Sequence, residues 1–136
     1  MQALTPKHAF TALGMALTFV LASQAQAMTR EEHKAAEDRI EATYKADKQR
    51  CDGLAGNAKD VCQSEAKGKE KVAKAELDAQ YKPSAKAQAK VAEAKADAAY
   101  DTAKQKCDEL AGNNKDVCMK DAKAAHQTAV AQAKRG

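Results

Sequence analysis

The feature that most constrains this chain is a repeated pair of cysteines. Residues 48–62 read KQRCDGLAGNAKDVC and residues 104–118 read KQKCDELAGNNKDVC, identical at 12 of 15 positions. Each block holds two cysteines in the spacing C-x10-C, Cys51 with Cys62 and Cys107 with Cys118. Upstream, in the same alignment, Ala36-Glu37 matches Ala92-Glu93 and Tyr44 matches Tyr100. Downstream the likeness fades into Ala/Lys-rich sequence. One supersecondary unit therefore occurs twice. Pro83-Ser84 lies between the copies and marks their junction, because proline cannot continue a helix from Tyr81-Lys82.

The residues around the cysteines favour helix. From Met28 onward Ala is the commonest residue, and Lys, Glu, Gln and Asp supply much of the rest. Ala is the strongest helix former, and the breakers Gly and Pro are rare. Thr29-Arg30-Glu31-Glu32 has the spacing of a capping box. Ala36, Ile40, Tyr44, Cys51 and Leu54 then recur at intervals of 3, 4 and 7, and Cys62, Ala66, Ala73, Leu77 and Tyr81 at 4 and 7. Those intervals define helical faces. The same segment contains no Phe and few Tyr, Leu, Ile, Val or Met. That is too little apolar volume for the core of an ordinary globular enzyme.

An unbroken helix would hold each cysteine pair about 16 Å apart, whereas a disulfide needs alpha carbons within about 7 Å. Local pairing therefore requires the chain to reverse between the two cysteines. Gly56 and Gly112 can adopt the left-handed conformation that ends a helix. Asn57 and Asn113 follow as expected N-caps of the next helix. Asp60 and Asp116 are expected near the positive end of its dipole. Each copy then reads as an αα-hairpin with Leu-Ala-Gly-Asn at its tip. Four cysteines allow three connectivities. Duplication favours Cys51–Cys62 and Cys107–Cys118, since a unit that works once can be copied whole. Pairings from tip to tip, such as Cys51–Cys118 with Cys62–Cys107, are the alternatives.

Local pairing also sets a register. Ile40 falls opposite Ala73, Ala36 opposite Leu77, Ala96 opposite Ala129 and Tyr100 opposite Ala125. Such Ala-rich seams bury little area, so a cross-link contributing roughly 3 kcal/mol in the chain-entropy model rivals the net stability of so small a core. The expected fold is all-α: two tandem disulfide-clamped αα-hairpins, residues 28–82 and 83–136. The hairpins either pack as a four-helix bundle or splay around Pro83.

Residues 1–27 read as a cleaved secretory signal. Met1 to His8 carries Lys7 and no acid, Ala9–Leu21 is mostly apolar, and Ala25-Gln26-Ala27 suits signal peptidase. As a helix, the apolar stretch spans about 20 Å, short of the roughly 30 Å of a bilayer core. No cysteine follows closely enough for a lipoprotein. Export to the periplasm places the even number of cysteines in an oxidising space. No second long apolar segment follows, so no stable membrane insertion is expected after cleavage. From Met28 onward basic and acidic residues are interspersed in nearly equal numbers, which describes a solvated surface and not a nucleic-acid-binding stripe.

The residues offer little chemistry. Zinc sites usually pair cysteines with about two to four residues between them, and redox dithiols use C-x-x-C; C-x10-C fits neither. His33 and Glu37 stand one helical turn apart, and His126 has no histidine at its matching position, Glu70; both histidines are expected on solvated faces. Neighbouring acids such as Glu31-Glu32 cap and solubilise exposed helices. No nucleophile motif, phosphate loop or metalloprotease signature occurs. No catalytic residue, metal or cofactor is expected, and the chain does not read as an enzyme. Metal or thiol chemistry by the cysteines, or a hydration-type stress protectant, are the competing readings.

The leader, the C-D-x-L-A-G-N-x-K-D-V-C unit and its Ala/Lys/Glu flanks resemble a group of small secreted proteobacterial proteins of unassigned function. Some of these are labelled TolA-like cell envelope biogenesis proteins. TolA itself has an uncleaved anchor, a long helical bridge and a folded C-terminal domain, and the likeness here is to the bridge alone, as in Ala89–Ala99. The resemblance implies an envelope location and carries over no catalytic or ligand residue. The expected function is a non-catalytic, envelope- or stress-associated structural or interaction module. It would meet an envelope or other periplasmic partner through its helical faces or its tips.

Overall fold

The computed structural model describes residues 27–135, so the expected leader, Ala27 apart, lies outside the described residues. Four helices follow one another: α1 Arg30–Cys51, α2 Gly56–Tyr81, α3 Ala85–Cys107 and α4 Gly112–Ala133. The capping box opens α1. Thr29 Oγ1 accepts from the Glu32 N–H at 3.1 Å, and the Glu32 carboxylate accepts from the Thr29 N–H at 2.8 Å. That backbone bond holds the Glu32 carboxyl below its ordinary pKa. Pro83 separates α2 from α3, and Ser84 caps α3 by accepting from the Ala87 N–H at 3.0 Å.

Both local disulfides are formed. The Cys51–Cys62 alpha carbons are 5.6 Å apart and those of Cys107–Cys118 5.7 Å. The register they fix runs the length of each hairpin. His33, near the start of α1, meets Tyr81 at the end of α2, and Tyr100 of α3 meets His126 of α4. Ile40 and Ala73 line one groove, and Ala96 and Ala129 another. Tyr100 stacks on His126 where Ala125 was expected, and Ala125 is exposed.

The hairpins neither splay nor close into a ring. Helices α2 and α3 pack directly, whereas α1 and α4 make no close approach to each other among the described residues. The array is thus open and antiparallel, with α2 and α3 inside. Its closest seam is at Gly68, where a Cβ would stand 2.8 Å from the Cβ of Ala98. Ser64 and Thr102 share a hydroxyl contact of 3.4 Å along this seam. Lys71–Asp97, at 2.6 Å, and Lys95–Glu76, at 2.7 Å, tie its rim.

The core is small. Cys51 and Cys107 are its most enclosed side chains, and Ala66, Leu77, Ala79, Val91, Ala94, Ala96 and Ala133 are the other buried apolar ones along the array. The cross-links thus belong to the core. Leu54, expected on the apolar face of α1, lies beyond the end of that helix and is 44% exposed. The bend begins immediately after Cys51, so Leu54 is carried out of the helical period.

Candidate functional site

The two tips are the most specific feature of the sequence, and they share one design. Helix α1 ends at Cys51, and the Leu54 N–H donates to the Cys51 carbonyl at 3.0 Å; Leu110 and Cys107 repeat this bond at 3.0 Å. Ala55 and Ala111 are then extended, at φ −130° and −125°. Gly56 and Gly112 follow at φ +57° and +55°. This left-handed region strains any residue with a Cβ, so glycine is the fitting residue at both positions. Across each tip a lysine reaches an aspartate, Lys59 to Asp52 at 3.5 Å and Lys115 to Asp108 at 2.9 Å.

Two expectations about these turns need correction. Gly56 and Gly112 do not close α1 and α3; they are the first residues of α2 and α4. The N-cap position accordingly falls on Ala55 and Ala111, which have no side-chain acceptor, and Asn57 and Asn113 cap nothing. Asp60 and Asp116 lie beyond the first turn, which holds no acid in either helix. Asn57 instead reaches across to the neighbouring hairpin, where its side-chain amide donates to the Gln105 carbonyl at 2.6 Å. Its Oδ1 is buried without a partner. Asn113 is exposed.

Alternating helix direction puts both tips at the same end of the array, and the Asn57–Gln105 bond joins them there. That end presents apolar surface. Leu54 is 44%, Leu110 43% and Val117 46% exposed, the large apolar side chains most open to solvent among the described residues. Val61, which matches Val117, is half covered because α2 packs on both sides. Beside these side chains Lys59 pairs with Asp52 and Lys115 with Asp108, while Asp60, Glu109 and Asp116 form no ion pair among the described residues. The end thus carries two exposed leucines, one on each cross-linked turn.

The four sulfurs are all committed to disulfides, with no free cysteine among the described residues. They carry no thiolate to attack a substrate or ligate a metal. Among the described residues no group of three or more His, Cys, Asp or Glu side chains is placed to hold a metal ion. The histidines are not on solvated faces, as the sequence suggested. The His33 side chain is 14% exposed, its ring 4.5 Å from that of Tyr81 and its Nε2 3.2 Å from Asp78. The His126 side chain is 24% exposed, its ring 4.8 Å from that of Tyr100 and its Nε2 2.6 Å from Asp97. Hydrogen bonds from Lys71, then from His126, hold the Asp97 carboxyl below its ordinary value. The cysteine register carried outward from the tips falls one residue short of both pairs. It sets Gln80 opposite His33 and Ala125 opposite Tyr100, and so brings each histidine only next to the position that faces its tyrosine.

No helix among the described residues is long and apolar enough to cross a membrane. A scan of protein-family models, a search of curated proteins and a search of solved structures each found no match.

Proposed function

We propose that this protein is a non-catalytic interaction module of the bacterial envelope, exported to the periplasm, that engages its partner through the end carrying both Leu-Ala-Gly-Asn tips. One observation carries the reading: packing of α2 on α3 brings two near-identical tips to one end with Leu54 and Leu110 exposed there. Exposed leucines gain free energy when covered, at about 25 cal/mol per Å² of apolar surface, and a cross-linked turn loses little freedom on binding. Two equivalent contacts held in one frame also add their effects, because the second engagement is intramolecular. The oxidised cysteines and the leader-like stretch 1–27 support the compartment, and the resemblance to TolA-like envelope proteins points the same way.

A photoreactive residue placed at position 54 or 110 in the secreted protein tests this. Both tip positions should yield the same discrete cross-linked product in intact cells, and position 123 on α4 should not. Equal products from all three positions, or none from the tips, would remove the tips as the contact surface.

A further inference from the structure

The opposite end of the array, where Pro83 joins the hairpins, holds a groove of about 560 Å³ walled by α1, α2 and α3. That volume is in the range of small-ligand sites. His33, Tyr81, Lys82, Lys86 and Lys90 line it, and Asp78, already engaged by His33, is its one carboxylate. We propose that this groove binds a small polyanion bearing phosphate groups.

The repeat supplies an internal control for the charge. In the repeat alignment, Arg30 and Lys34 of α1 match Lys86 and Lys90 of α3. In α1 these cations are balanced: Glu31 and Glu32 occupy the first turn, and Lys34 pairs with Asp38 at 3.3 Å. In α3 the three matching acids are replaced by Ala87, Gln88 and Ala94. The remaining acid, Glu93, matches Glu37 and pairs with neither lysine. Lys82, Lys86 and Lys90 form no ion pair among the described residues, and Lys82 instead holds its Nζ 5.4 Å from the centre of the Tyr81 ring. The compensating acids are therefore missing from the helix that contributes Lys86 and Lys90 to this groove.

This charge set is unfavourable by itself. Lys86, in the first turn of α3, opposes the helix dipole, and Lys86 and Lys90, four positions apart on that helix, repel. A bound anion relieves both effects. Three ammonium groups on flexible stems deliver separate point contacts, which suits the several oxygens of a phosphate ester better than one carboxylate. The half-covered Tyr81 and Ala87 leave room for the body of a small molecule on one side. The groove lies at the far end from Leu54 and Leu110, so this inference stands or falls separately from the tip reading.

Inorganic pyrophosphate is the probe, titrated into the oxidised, isotope-labelled protein as secreted and followed by backbone amide shifts. Saturable shifts should gather at residues 82–90 and at His33. Lys86→Gln with Lys90→Gln should raise Kd about tenfold, the equivalent of about 1.4 kcal/mol. Lys120→Gln with Lys123→Gln, on exposed positions of α4, should leave it unchanged. Each variant's far-ultraviolet circular dichroism should match that of the parent, because all four lysines are exposed. Absence of saturable shifts overturns the proposal, and so does an equal loss in the α4 variant, which would mean attraction to net charge alone. Vesicles of anionic phospholipid form the second arm. Binding to them that pyrophosphate cannot displace would assign these lysines to a membrane surface and overturn the small-ligand site.

Discussion

The two hairpins share a turn and differ in nearly everything that surrounds it. Both tips hold an extended alanine, a left-handed glycine, a lysine–aspartate strap and a disulfide with alpha carbons 5.6 or 5.7 Å apart. Yet Asn57 crosses to α3 while Asn113 faces solvent, and Val61 is half covered while Val117 is not. The difference follows from position in the array. Helix α2 is packed on both sides and α4 on one, so identical residues meet different neighbours. The repeated sequence specifies the bend; the order of packing decides what each bend does next.

The largest expected effect tests how far the shared turn governs stability. Replacing Cys51 and Cys62 by alanine, or Cys107 and Cys118, should cost about 3 kcal/mol in either case, because the closed loops are of equal length. Urea unfolding of both variants measures this. Losses that agree to within about 1 kcal/mol, the usual scatter between point substitutions, would locate the stabilisation in the loop constraint. A much larger loss for one pair would place it in the packing around that pair, and the hairpins would then differ at the turn as well.

A smaller effect sharpens the contrast between α2 and α4. Gly68 on α2 matches Ala124 on α4. Gly68→Ala makes the inner helix copy the outer one and drives a methyl to 2.8 Å from the Cβ of Ala98, a group fixed to its own backbone. Overpacking of this kind costs about 1–3 kcal/mol, against a helix-propensity gain of about 1 kcal/mol. The net change should be a loss of about 1 kcal/mol. Introduced alongside Ala98→Gly the same substitution should stabilise, since the obstructing methyl is gone and the propensity gain remains. A double-mutant cycle in thermal unfolding reads that reversal of sign. No reversal would mean that the seam can slide.

Much of the architecture was legible because the cysteines carry geometric information that the alanines lack. A disulfide at a separation of 11 forbids a straight helix, and the pairing then fixes the register for Ile40, Ala73, Ala96 and Ala129. The face by which one hairpin packs on the other was not legible. Alanine surrounds α2 and α3 on most sides, so hydrophobic periodicity gives no contrast there. Gly68 was the available signal, a glycine in a helix body with no counterpart in the second copy. The asparagine caps failed for a local reason: a left-handed glycine can close one helix or open the next, and its residue type does not say which. Each histidine, taken on its own helix, belongs in solvent; Tyr81 or Tyr100 on the neighbouring helix, one residue off the cysteine register, covers it. The lysine groove was hidden because its members come from both sides of Pro83.

The smallest effect separates the two histidine–tyrosine pairs. Asp97 is held from two helices, by Lys71 of α2 and His126 of α4, whereas Asp78 accepts from His33 of α1. At the position matching Asp97, Glu41 pairs along its own helix with Lys45 at 2.8 Å and ties nothing together. The Lys71 hydrogen bond, followed by that of His126, depresses the Asp97 carboxyl below its ordinary 3.8, and burial opposes them without prevailing. A depressed carboxyl contributes stability that is present above the unfolded value and lost as pH falls through the folded one. The carboxylate side chain is 37% exposed, so solvent screening holds the contribution to about 0.5 kcal/mol or less. Asp97→Asn should therefore lower the urea midpoint slightly at neutral pH and flatten its decline between about pH 5 and pH 2. If Asp97→Asn leaves the acid limb where it was, the contacts from Lys71 and His126 add nothing to stability, and the hairpins are equivalent in charge as they are in their turns.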